Sequence, residues 1–209
     1  MNRFGEKVRV VGLGGTLRED STSLSALEVA LDAAEEAGAE VELLDLRELD
    51  LPMFEPGKPL EEYGAGVRRL VEAMRGADAM IWSTAAYHGT LAGVTKNALD
   101  FAQFLSRDGR PYLQDRVVGL IATAGGGMAG PHTIDAMTHT VHALRGTVAS
   151  LSVPIPQARH AFENGALRDG AVEGRLRSLG ELIVDLARRL GPRGVAGEER
   201  TDRVLSGAA

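Results

Sequence analysis

The sequence predicts a doubly wound α/β fold, a five-stranded parallel sheet between two layers of helices. Three observations point there. Five short apolar runs alternate with helical patterns along the chain. Most of the runs lack the strict in–out alternation of a half-exposed sheet, as strands covered on both faces do. Successive runs are also far enough apart for right-handed crossovers.

The elements follow in order. "KVRVVGLGG" (Lys7 to Gly15) is β-rich and ends in glycines. "SLSALEVALDAAEEAG" (Ser23 to Gly38) puts Leu24, Leu27, Leu31 and Ala34 on one helical face and stops at a glycine. "EVELLDL" (Glu40 to Leu46) alternates like a strand, and Leu60 to Ala77 is a helix pattern weakened by two glycines. "AMIWSTA" (Ala79 to Ala85) is a buried strand, followed by a helix from Gly93 to Leu105. "RVVGLIATA" (Arg116 to Ala124) is the fourth strand, and Thr133 to Gly146 is a helix ended by glycine. "TVASLSVPI" (Thr147 to Ile155) is the fifth strand, and Val172 to Gly191 is a long amphipathic helix. Five strands in about 200 residues fit a flavodoxin-like three-layer sandwich of strand order 2-1-3-4-5. We expect one such domain over residues 1–191, with the polar, glycine-rich stretch 192–209 as a flexible tail.

Composition narrows the function classes. The chain has 209 residues, enough for one sizeable core. A net charge of −6 argues against a nucleic-acid footprint. There are no cysteines, which removes disulfides, thiolate metal sites and thiol nucleophiles together. That composition fits a reducing cytosol. The N-terminus has no signal-peptide core, and no apolar run is long enough to span a bilayer. A cytoplasmic protein is the expectation.

In doubly wound sheets ligands bind outside the carboxyl ends of the strands, at the switch in strand order. Three loops therefore matter. The first, "GLGGTLREDSTSLSAL", does not complete a dinucleotide fingerprint, since its third glycine would fall at Leu17. It offers Thr16, Arg18, Ser21, Thr22 and Ser23 just before a helix. Hydroxyls, a guanidinium and a helix N-terminus suit a terminal monophosphate. An ordinary N-capped helix with a solvated arginine is the alternative. The second loop, "TAAYHGTLAG", carries Ala85, Ala86, Tyr87, His88, Gly89 and Thr90. It offers a flat surface, polar tips and backbone amides to a planar heterocycle. Taken singly, Tyr87 reads equally as a core aromatic and His88 as a turn residue. The third loop, "ATAGGGMAGPHTID", holds Gly125, Gly126 and Gly127, and Gly130 beyond them. Backbone there can approach a ring closely, or the stretch is simply a flexible surface loop. A phosphate on the first loop and a ring between the other two point to FMN.

These motifs carry a resemblance. "GGTLREDSTS" and "STAAYHGTLAGVTKNALDF" resemble the phosphate loop and the flavin loop of the NADPH-dependent FMN reductase family. Arg18, Ser21, Ser23, Thr84, Tyr87, His88, Gly93, Lys96, Asn97, Leu99 and Asp100 match the family pattern. Thr16 and Thr90 stand where serines are usual, and Ala85-Ala86 replaces a Pro-Glu pair. "IATAGGGMAG" with "HTVHALRG" is similar to the reductases of two-component monooxygenase systems. The resemblance implies an NAD(P)H-dependent FMN reductase that hands reduced flavin to a partner oxygenase, with FMN and NADPH or NADH as cofactors. It implies hydride transfer from nicotinamide to flavin with no essential side-chain acid or base, so no catalytic residue is named. Backbone N–H groups of Gly125 to Gly127 would face the charge that develops at the ring's N1 and O2. A homodimer or homotetramer is implied as well, and the apolar Val94, Leu99, Phe101 and Phe104 on more than one face of the Leu91–Leu105 helix argue the same way. A quinone, azo or chromate-type reductase and a flavodoxin-like electron carrier are the competing readings. His132, Asp135, His139 and His142 share a helix face, but a polar surface is the simpler reading and no metal site is expected.

Overall fold

A computed structural model describes residues 7–190 of the chain; the expected tail, 192–209, lies outside them. The parallel sheet is built from β1 (Arg9–Gly14), β2 (Glu40–Asp45), β3 (Ala79–Tyr87), β5 (Val117–Thr123) and β6 (Thr147–Ile155). Their order is β2-β1-β3-β5-β6, the expected 2-1-3-4-5, with a two-residue β4 (Thr90–Leu91) pairing antiparallel to the end of β3. The fold is flavodoxin-like.

Alternate residues of each central strand feed two cores. Val10, Ile81 and Ile121 pack under α1 (Thr22–Glu36) and α7 (Gly170–Leu190). Val11, Leu13, Met80, Trp82 and Leu120 pack on the opposite face. That face is covered by α3 (Ala65–Gly76), α4 (Gly93–Asp100) with the 3-10 turn Phe101–Leu105, and α5 (Ala129–Ala143). Trp82, Met80 and Leu120 are wholly buried. Burial of each such side chain stabilises the fold by about 1.5–3 kcal/mol.

Five short elements were not expected: β4, the four-residue helices α2 (Leu46–Leu49) and α6 (Ala158–Ala161), and the strands β7 (Phe162–Glu163) and β8 (Ala166–Leu167) of a hairpin. Two further differences have clear causes. α5 starts at Ala129 rather than Thr133, because Pro131 falls in the first turn, where a missing N–H costs nothing. Gly130 is therefore a buried helix residue set against Pro154, not part of the third loop. The apolar excess of the Leu91–Leu105 segment is consumed largely inside the chain. Leu99 and Phe101 are buried, and Phe101 and Phe104 meet Phe54 and Tyr63 in a four-ring cluster with centroids 5.2–6.4 Å apart.

Candidate functional site

The carboxyl ends of β1, β3 and β5 are neighbours in the sheet, so the three loops that leave them share one edge. Gly14 of β1 is in register with Ser83 of β3, and Ala85 of β3 with Thr123 of β5. Ser83 ties the first two loops together: its hydroxyl donates to the Ser23 carbonyl at 2.6 Å. This buried contact had no counterpart in the sequence reading, although a serine inside an apolar strand is the signal for one.

In loop one, Ser21 caps α1, its Oγ accepting from the Leu24 N–H at 3.3 Å. Its hydroxyl also lies 3.1 Å from that of Ser23, and both serines are buried. They form the floor of the loop. The groups turned toward solvent are Thr16 and Thr22, half-buried, and the exposed Arg18. The Arg18 N–H donates to Thr16 Oγ1 at 3.2 Å, which folds the loop back on itself. The N–H groups of Thr22 and Ser23 begin α1, where no intrahelical acceptor exists. Asp45 ends β2 beside Gly14, but its carboxylate accepts the Arg47 N–H at 2.9 Å and caps α2.

Loop two is a tight hairpin rather than a simple strand-to-helix turn. Tyr87 pairs with Thr90, and the two residues between them, His88 and Gly89, both have positive φ, +52° and +81°. That is the pattern of a type I′ turn, for which glycine is the natural second residue. The hairpin is anchored from below. Thr84 Oγ1 accepts the Ala92 N–H at 3.1 Å and meets the buried Thr95 hydroxyl at 2.8 Å. Ala85 and Ala86 are half-buried, while Tyr87, His88 and Thr90 are exposed. Asn97 does not bond back to this loop. It is buried, donates to the Pro52 carbonyl at 2.8 Å and accepts from the Phe54 N–H at 2.9 Å, clamping a segment more than forty residues away in sequence.

Loop three runs from Ala124 to Met128, and its Gly125, Gly126 and Gly127 are exposed. A side-chain carbon added at any of the three would meet nothing within 4 Å. Packing inside the chain therefore does not require these glycines, and the space before the loop is open. His132, Asp135, His139 and His142 lie along α5. Among the described residues no three His, Asp or Glu side chains are grouped to hold a metal ion.

Comparison with known proteins follows the same lines. A family model described as NADPH-dependent FMN reductase matches residues 8–160. An NAD(P)H-dependent FMN reductase of Pseudomonas aeruginosa is 26% identical over 187 residues, covering 90% of this chain and 91% of that protein. A quinone reductase of Escherichia coli is 30% identical over 192 residues, covering 86% of this chain and 97% of that one. Among solved structures, the flavoenzyme NAD(P)H:(acceptor) oxidoreductase FerB of Paracoccus denitrificans superposes with a TM-score of 0.69 at 21% identity. It covers 87% of this chain and 98% of its own.

Proposed function

The chain belongs to the NADPH-dependent FMN reductase family, and from that premise we propose that it binds FMN across loops one to three and reduces it with NAD(P)H. One observation carries the reading: a cradle of hydroxyls, helix-start N–H groups and one uncommitted guanidinium shares a sheet edge with an open, glycine-lined loop. The residues present fit the group. Thr16, Arg18, Thr22 and the first N–H groups of α1 suit its phosphate, with Ser21 and Ser23 framing them. The backbone of Ala85 to Thr90, with Tyr87 and His88 beside it, suits one edge of the ring. Gly125 to Gly127 leave room for the other, where their N–H groups oppose negative charge.

Bound there, FMN would supply the redox chemistry, as the acceptor of hydride from the nicotinamide. The chain's part is to hold the phosphate, fix the ring edge and present donors to it. We further propose that the reduced flavin passes to a partner monooxygenase; the exposed rim of Tyr87, His88 and Thr90 supports a ligand that can leave. The likeness to a quinone reductase over most of both chains favours a second reading, direct reduction of a quinone. Anaerobic addition of NADPH to the FMN-loaded protein should bleach the flavin; an unbleached flavin removes both readings. Turnover with free FMN exceeding turnover with quinones or azo dyes favours the first, and the reverse order favours the second.

The hairpin makes a sharper prediction. Gly89→Val places a β-branched residue at φ +81°, a strain of about 1–3 kcal/mol, and is expected to weaken FMN binding by disordering the turn. Tyr87→Phe keeps the ring and should change affinity by less than twofold. A Gly89→Val variant that folds by circular dichroism, binds FMN and turns over like the parent would make this turn scaffold only.

We also propose a homo-oligomer. Leu17 and Met53 are 62% and 73% exposed and line a groove of about 460 Å³ with Leu46, Leu51 and Val94. Leu17 belongs to loop one, so a second copy seated in the groove would border the flavin cradle. Sedimentation at micromolar concentration should give twice or four times 22.1 kDa, and a monomer there rejects the proposal.

A further inference from the structure

Beyond β6 the chain builds a small insert that borders the site on the side away from loop two. Its start is joined to loop three: the Ala124 N–H donates to the Ile155 carbonyl and the Ala158 N–H to the Ala124 carbonyl, both at 2.9 Å. Its far end, the turn Asn164-Gly165, rests against loop one, where a carbon added at Gly165 would lie 3.8 Å from Asp20. The insert closes on itself through the Arg168 and Asp169 N–H groups, which both donate to the Ala161 carbonyl. It is thus a formed wall running from loop three to loop one.

α6 buries Ala158 and Ala161 in this wall and leaves Arg159 and His160 exposed. The charges around them are mostly committed. Arg168 pairs with Glu163 at 3.4 Å, Arg47 with Glu19 at 2.7 Å, and Arg175 donates to the Ser152 carbonyl at 3.1 Å. Asp169 accepts the Ala171 and Val172 N–H groups at the start of α7. Among the described residues Arg18 and Arg159 have no carboxylate within ion-pair distance. Arg159 Nε donates to His160 Nε2 at 3.4 Å, which holds the two side chains together and leaves the terminal guanidinium nitrogens free. Arg18 lies in the cradle already described. Arg159, with the His160 imidazole beside it, forms a second cationic point, on the insert that adjoins loop three.

We propose that Arg159 and His160 bind the 2′-phosphate of NADPH and make this chain prefer NADPH over NADH. The inference rests on the reading that FMN is reduced across loops one to three. A dinucleotide that brings its nicotinamide to a ring beside loop three must lay its adenosine half on a surface bordering that loop, and the insert is such a surface. NADPH differs from NADH only by a phosphate monoester on that half. A guanidinium with free N–H groups beside an imidazole is the pairing that recognises such a group.

The test measures adenosine 2′,5′-bisphosphate and 5′-AMP binding by calorimetry, on FMN-loaded and FMN-free protein, for the parent, Arg159→Ala and Arg159→Lys. FMN affinity and the ratio of kcat/KM for NADPH over NADH are measured alongside. The parent should bind the bisphosphate at least tenfold more tightly than 5′-AMP. Arg159→Ala should remove most of that difference and lower the NADPH/NADH ratio at least tenfold, with Arg159→Lys intermediate and FMN affinity within twofold of the parent. Equal affinity of the parent for both adenosine phosphates, a parent preference for NADH, or an equal loss for NADPH and NADH in Arg159→Ala would overturn the proposal. So would a weakened FMN affinity in that variant, which would place Arg159 on the flavin. If the protein fails to bind FMN at all, the flavin reading falls on that result alone, while bisphosphate binding to the FMN-free protein still reports on the insert.

Discussion

Arg116→Met is expected to lower folding stability by about 3–5 kcal/mol, the range for removing one partner from a buried charged network, and to leave the FMN affinity of the folded protein unchanged. Arg116 is only 3% exposed, at the amino end of β5. Its guanidinium donates to three carbonyls, of Ala77 at 2.9 Å, Tyr112 at 2.8 Å and Arg75 at 2.7 Å. The Arg75 and Ala77 carbonyls close the end of α3 and the turn into β3, where a helix end otherwise leaves acceptors unpaired, and the Tyr112 carbonyl belongs to the loop before β5. Burial, with the charge of Arg110 nearby, brings the guanidinium down to about 10. That is still far above neutral, so the group is a full cation at pH 7. Methionine fills similar volume but orphans three carbonyls, each worth about 1–3 kcal/mol when left buried without a donor. Arg116→Lys restores the charge but not the planar fork, so its loss should be smaller. The proposed site lies at the opposite end of the sheet, which is why affinity and stability should separate. Denaturant midpoints of Arg116→Met equal to those of the parent would mean that the carbonyls find other donors.

The five long strands and their order were legible because the three central ones are apolar runs buried on both faces, the two outer ones stand between helical patterns, and crossover handedness leaves few ways to wind them. The position of the candidate site follows from that order. What stayed hidden is short or distant. β4, α2, α6, β7 and β8 are each four residues or fewer, too brief to show a period. One of them did carry a signal: Asn164-Gly165 between Phe162 and Leu167 is a strong two-residue hairpin cue. The other hairpin turn, His88-Gly89, has a histidine in the first positive-φ position, where asparagine would have announced it. Asn97 carries no sign in the sequence of its partners Pro52 and Phe54, which only the folded chain brings to it. The Leu91–Leu105 helix misled in a different way. A helix apolar on several sides is buried beyond one sheet, but here a segment of the same chain, with Phe54 and Tyr63, does part of the covering.

Arg18→Ala is expected to weaken FMN binding by about 1.5–3 kcal/mol, the worth of a hydrogen bond to a charged group, which is roughly a ten- to hundredfold rise in Kd. Arg18 is exposed in loop one and has no carboxylate partner among the described residues, so nothing in the chain competes for its charge. Its own N–H is bonded to Thr16 Oγ1, which fixes the backbone and leaves the side chain to swing. The loop around it is a poor place for an unbalanced cation. Glu19 is engaged by Arg47, which leaves Arg18 and the helix end as the positive features at the start of α1. A dianionic phosphate answers both. Riboflavin has the same ring without the phosphate, so its affinity should barely change in the variant. Arg18→Lys keeps the charge but cannot form a two-pronged contact, and should fall between parent and alanine. Raising the salt concentration should shrink the gap between parent and Arg18→Ala, since an exposed pair is screened. The measurement is a fluorescence titration of both flavins into each variant. An equal loss for FMN and riboflavin would show that Arg18 supports the loop and does not hold the phosphate.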